Sequence, residues 1–211
     1  MALDDLTKFV SNNAKSPNPL WRTQSAYESE LLRSQTIGVK PTTAGLRAMA
    51  ATAPENYFFG IFTRFGMGTS RWSDGTFPVW YGGDSAITAL QESMYHIGNA
   101  AGISTTDEYR YLINVSCDCD LIDTVGLENR NRWLISNDYP DCQRLGRYVL
   151  HRDHSGIRYQ SARSKGVCAA IMKRKVLKNP QIMSVVTLSH NGSIIKAISQ
   201  DGQVVTSRLT D

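Results

Sequence analysis

The sequence predicts a single α+β domain, with a mixed or mostly antiparallel sheet and flanking helices, and three observations lead there. Apolar residues alternate along several stretches, most cleanly at Tyr109, Tyr111, Ile113, Val115 and Cys117, which is the pattern of a strand with one buried face. Elsewhere they step by three and four, as at Ile87, Leu90, Met94, Ile97 and Ala101, which is one stripe of a helix. Counted along the chain, two or three helices lead, one is central, and six or more short strands make up the rest.

Taken in order, Leu3 to Val10 reads as a short helix and Ser11 to Pro19 as a polar connector. Ala26 to Arg33 and Thr42 to Ala51 read as helices, the second capped by Thr42 or Thr43. Tyr57, Phe58, Phe59 and Phe62 crowd one short stretch, more in the manner of a core than of a ligand-stacking platform. Gly66-Met67-Gly68 is a turn without the lysine of a phosphate loop. Phe77 to Tyr81 is aromatic and β-branched enough for a strand, broken by Gly82-Gly83, after which Asp84 or Ser85 can cap the central helix. Asp118 to Asp123 extends or ends the strand that finishes at Cys117. Trp133 to Ile135 precedes a polar turn, and Cys142 to Leu150 looks helical. Ala169 to Met172 reads as a short strand and Lys173-Arg174-Lys175 as a solvated turn. Ser184 to Leu188 and Ser193 to Ser199 form a hairpin through Asn191-Gly192, and Asp201-Gly202 turns into Val204-Val205.

Composition narrows the function classes. A chain of 211 residues, 41 % of them hydrophobic, can bury a proper core as one ordinary domain. A net charge of +4 suits an acidic ligand or partner, but the basic residues are dispersed, so no direct nucleic-acid binding is expected. Met1 to Asp5 lacks the order of a signal peptide, and no apolar run approaches membrane-spanning length. The expectation is therefore a cytoplasmic site of action without membrane contact. The cysteines Cys117, Cys119, Cys142 and Cys168 are expected reduced, Cys117 and Cys119 lying too close for an easy bridge to each other. His151 and His154 have no partner at metal-ligand spacing, so no metal is expected. His151-Arg152-Asp153 lacks the other kinase motifs, and no Gly-x-Ser-x-Gly elbow supports a serine hydrolase.

The richest stretch is Ser70-Arg71-Trp72-Ser73-Asp74-Gly75-Thr76-Phe77-Pro78-Val79-Trp80-Tyr81, followed by the helix that carries Glu92. At about 100° per residue, Glu92 points nearly opposite the apolar stripe, with Thr88 and His96 one turn to either side. Either this is a solvated outer face, or it closes over a cleft whose other wall is the Arg71 turn. Spacing alone does not choose between them.

A Ser-Arg-Trp step, a Gly-Thr-x-Pro turn, a strand ending in Tyr and a helix carrying Glu together resemble the front half of the RES domain, a family named for its Arg, Glu and Ser. Ser155-Gly156-Ile157-Arg158-Tyr159-Gln160-Ser161-Ala162-Arg163 is similar to its back half, which usually reads Asp-Gly-Ile-x-Tyr-Pro-Ser-x-Arg; the departures are Ser155 and Gln160. The resemblance covers roughly residues 21–172, leaving 1–20 as an N-terminal extension to a catalytic domain over 21–211, with a longer region at 23–65 than the family needs. That region could cover the cleft or meet a partner.

The resemblance implies a split β-sheet core like that of ADP-ribosyltransferase toxins, with NAD in the cleft as substrate and no cofactor besides. It implies cleavage of the nicotinamide–ribose bond through an oxocarbenium-like state, beside which a carboxylate stabilises the growing positive charge. Glu92 is the candidate carboxylate, and Arg71 the guanidinium for the pyrophosphate, gripped at two points. Ser161 would anchor the ribose or keep Glu92 aimed, and Tyr81 would give an aromatic face beside the reacting sugar. Arg22, Arg163 and Trp72 are further substrate-binding candidates, with an edge strand in solvent the alternative for Arg22 and a core anchor that for Trp72. The implied activity is a toxin that degrades NAD, as glycohydrolase or phosphorylase, and arrests bacterial growth, paired with an antitoxin of Xre type. An ADP-ribosyltransferase, a delivered effector with its own immunity protein, and a nucleotide-binding module without turnover are the alternatives.

Overall fold

The computed structural model describes residues 3–25, 62–100, 108–190, 194–199 and 202–208. The helices expected over 26–33 and 42–51, and the aromatics at 57–59, lie outside these residues.

The alternation at Tyr111, Ile113, Val115 and Cys117 builds β4 (Glu108–Cys117), and all four side chains are buried. They join Leu20, Trp80, Ala169, Ile171, Leu177 and Val185 in a core on one face of the sheet. Leu112, between them in sequence, faces the other way and packs against Leu90 and Met94. β7 (Val167–Ile171) repeats this division: Ala169 and Ile171 join the first core, while Cys168 and Ala170 join Trp72, Leu145, Val149 and Tyr159. Period-two side chains thus give the sheet two buried faces. The face opposite β4's aromatic core is covered by two helices, α2 (Ala86–Ala100) and α3 (Pro140–His151).

The remaining elements are α1 (Leu3–Val10), β1 (Asn13–Lys15), β2 (Leu20–Ser25), β3 (Trp80–Gly83), β5 (Asp120–Asp123), β6 (Gly156–Gln160), β8 (Leu177–His190), β9 (Ile194–Ser199) and β10 (Val204–Arg208). The ten described strands form one sheet in the order β1-β5-β6-β7-β3-β2-β4-β8-β9-β10. β5 and β6 pair in parallel, and the other described pairings are antiparallel. The domain is α+β with a mixed sheet.

Four sequence expectations are corrected. The connector at 11–19 contains β1, whose three residues pair with β5, and Leu6 and Phe9 of α1 belong to the α3-side core. Gly82-Gly83 continue β3 rather than break it, pairing with Ala169 and Cys168, because main-chain hydrogen bonds need no side chain. β8 is much longer than Ser184–Leu188; its partner β4 supplies ladder bonds back to Leu177, with bulges between, and these hold the polar stretch Lys178 to Gln181 in the sheet. Ile87 is 57 % exposed, off the buried stripe, which instead runs through Ala86, Leu90, Met94 and Ile97.

Candidate active site

An open cleft of about 450 Å³ lies between α2 and the Arg71 turn, floored by β2, β3 and the start of β7. The elements around it explain why each side chain points there. Ser85 caps α2, its Oγ accepting the Thr88 N–H at 3.2 Å. With Leu90 and Met94 buried against the sheet, helical geometry turns Glu92 to the cleft rather than to open solvent, and its side chain is 25 % exposed.

Ser161 follows β6 and is only 5 % exposed. Its Oγ accepts the backbone N–H groups of Arg163 at 3.0 Å and Ser164 at 2.9 Å. A hydroxyl has one hydrogen, and with its lone pairs so occupied that hydrogen goes to Glu92 Oε1, 2.6 Å away. Ser161 does not itself line the cleft; it holds the carboxylate that does. Glu92 Oε2 lies 3.9 Å from His96 Nε2, one turn on.

Arg71 is fixed from the far side. Its Nη1 donates to the carbonyls of Leu134 and Ser136, at 2.9 and 2.8 Å, and the guanidinium stacks 4.9 Å from the Tyr139 ring centroid. Both carbonyl bonds leave from one nitrogen, so the other edge of the fork is not spent on them. Tyr81 sits beside it on β3. Its hydroxyl accepts the Trp72 N–H at 3.2 Å and shares a 2.7 Å hydrogen bond with Ser70 Oγ. Burial pushes the phenol up to about 12, so Tyr81 is a neutral ring and hydrogen-bonding group at neutral pH, not a base.

Arg22 and Arg163 also line the cleft. β2 lies between β3 and β4, so Arg22 is not on an edge strand; its guanidinium rests 5.4 Å from the Trp80 ring centroid and donates to the Arg64 carbonyl. Arg163 sits 3.3 Å over the Tyr95 ring and donates to Asn137 Oδ1. Trp72 is corrected: its side chain is 0 % exposed and packs edge-on against Tyr159 at 5.3 Å, so it is a core anchor and touches the site only through its backbone.

Sequence reasoning missed Arg110 and Tyr139, which also border the cleft, and read Ser70 only as part of the Arg71 motif. Arg110 is held by Thr23 Oγ1 at 3.2 Å and Glu108 at 2.7 Å. Nothing local marks Arg110 and Tyr139, because tertiary pairing brings them in; His96 was visible from its helical spacing to Glu92. The walls thus carry the guanidinium groups of Arg22, Arg71, Arg110 and Arg163 around one carboxylate, which suits an anionic ligand. Among the described residues no three His, Cys, Asp or Glu side chains gather as a metal site needs, the four cysteines are free thiols, and no helix is long and apolar enough to cross a membrane.

No curated protein matches the chain. A solved structure, the crystal structure of the M. tuberculosis MbcT-MbcA toxin-antitoxin complex, is similar over 87 % of this chain and 92 % of that one, at 18 % identity and a TM-score of 0.49. The model of the RES domain matches residues 46–191, a span that includes Arg71, Tyr81, Glu92 and Ser161. With more than half of the sequence under that match, the chain belongs to the RES domain family.

Proposed function

We propose that this chain is the toxin of a toxin–antitoxin pair and that it consumes NAD by breaking the nicotinamide–ribose bond. The observation that carries the reading is the 2.6 Å bond from Ser161 to Glu92 on the wall of a cleft that four guanidinium groups also line. One oxygen of Glu92 is held by Ser161. The other is left to face a ribose on which positive charge develops as nicotinamide departs, and a fixed carboxylate there favours the transition state over the ground state. Arg71 offers the part of its fork that does not bind the Leu134 and Ser136 carbonyls to the pyrophosphate. Tyr81, neutral and held by Ser70 and the Trp72 N–H, presents its ring beside the sugar. The partner is an antitoxin of Xre type that occludes the cleft, and the site of action is the bacterial cytoplasm.

The test is incubation of the purified chain with NAD, with and without inorganic phosphate, followed by product analysis. Nicotinamide release is expected in at least one condition, and the companion product identifies water or phosphate as acceptor. NAD left intact in both would overturn the reading.

A further inference from the structure

Glu92 is aimed by Ser161, but Ser161 is itself on a short excursion between β6 and β7, and something must seat that excursion on α2. Its ends are tied to each other by the Ser161 N–H on the Gly166 carbonyl, at 3.0 Å, and by Gln160 Nε2 on the same oxygen at 2.9 Å. Both ends also meet one face of α2. The first is Ser161 on Glu92. The second lies one helical turn earlier, at Thr88: Asp84 Oδ1 accepts the Thr88 hydroxyl at 2.7 Å while Asp84 Oδ2 accepts the Val167 N–H at 2.8 Å. The Asp84 N–H in turn donates to the Val167 carbonyl at 2.8 Å. Gly166 makes the approach feasible, since a Cβ there would stand 1.9 Å from Thr88 Oγ1 and 2.7 Å from Asp84 Oδ1.

We propose that Asp84 is the positioning residue that seats the Ser161 loop on α2 and thereby sets the aim of Glu92. The proposal rests on the reading of the cleft given above. Its chemistry is that of a single carboxylate bridging two donors from different elements, a backbone N–H of β7 and a hydroxyl of α2. Residues Thr88 and Glu92, four apart, share a helix face, so a shift of the loop at Val167 is transmitted to Ser161 along a strap of only a few residues. Asp84 is solvent-exposed, so the core does not depend on it.

The experiment compares Asp84→Asn and Gly166→Ala in the full chain, alone and combined with Ser161→Ala. Asn keeps the shape of Asp but can accept only one of the two bonds; the Gly166→Ala methyl forces the loop from Thr88 with every acid in place. Three readouts are taken: NAD turnover, melting temperature and amide hydrogen exchange over residues 161–167. Asp84→Asn is expected to melt near the parent and Gly166→Ala somewhat below it, as overpacking against buried Thr88 requires. Both should exchange faster at Arg163, Ser164 and Val167 and lose about 10- to 100-fold in kcat with KM little changed. In the Ser161→Ala background neither should lower kcat much further, because both act through that hydroxyl. Unchanged exchange, or full kcat despite faster exchange, overturns the proposal, as does a loss that multiplies with that of Ser161→Ala. If the parent chain releases no nicotinamide, the reading of the cleft falls, and the exchange pattern alone decides whether Asp84 seats the loop.

Discussion

Arg71 is gripped by two carbonyls and a tyrosine ring before any ligand arrives, so its guanidinium is placed in advance. We predict that Arg71→Lys weakens NAD binding and Arg71→Ala weakens it more, since a lysine keeps the charge but not the planar fork. Hydrogen bonds to charged groups are worth about 1.5–3 kcal/mol, so Ala should raise the dissociation constant about 10- to 100-fold in calorimetric titration. Lys binding as tightly as Arg would mean that only charge matters there. Tyr81→Phe is expected to lower stability by about 1–3 kcal/mol in denaturant titration, because the Trp72 N–H loses its acceptor. An unchanged midpoint would show that water replaces the hydroxyl. At this scale the sequence was informative about type and spacing: Arg71, Tyr81, Glu92 and Arg163 line one cleft. It could not tell that Trp72 is wholly buried beside Arg71, since a Trp next to a site Arg looks the same in sequence whether it faces ligand or core.

Among the elements, α3 and the segment before it form the bed of the Arg71 turn. Gln143 Nε2 donates to the Ser70 carbonyl at 2.9 Å, Arg147 pairs with Asp74, and Gly146 lies so near Trp72 that a Cβ would stand 2.0 Å from its carbonyl oxygen. Gly146→Ala should therefore push α3 and the turn apart, costing about 1–3 kcal/mol as overpacking does, and lower NAD affinity through Arg71. A variant as stable and as tightly binding as the parent would mean that the helix has room to move. The helix itself was legible from Cys142 to Leu150, but this contact was not, for it joins residues more than seventy positions apart. α2 was legible through its cap and stripe, apart from Ile87, which the three-and-four spacing includes although its side chain is exposed. β8 was seen only where its residues are apolar; its polar first half is a strand because β4 pairs with it.

For the whole molecule, topology was the least legible level, because strand order is set by long-range pairing that no local pattern encodes; the class of fold was readable from the order of periodicities. Burial across the sheet has a consequence for pH. It raises Cys142 from 9.0 to about 11 and Tyr81 from 10.0 to about 12, and lifts Cys168 and Tyr159 as well. Folded-state values above unfolded ones mean that the native chain keeps protons which the unfolded chain gives up. Their contribution is whole below about pH 9 and is lost as pH rises through the folded values. The melting temperature should accordingly fall from pH 9 toward pH 11; a flat profile would show that these groups are solvated. The central claim, that Glu92 is the carboxylate at the reacting ribose, is tested most directly by nicotinamide release from NAD by the Glu92→Gln variant beside the parent. The side chain keeps its shape and an acceptor for Ser161, so the account predicts a folded protein that still binds NAD while its turnover falls about a hundredfold or more. Parent-like release by Glu92→Gln would contradict it.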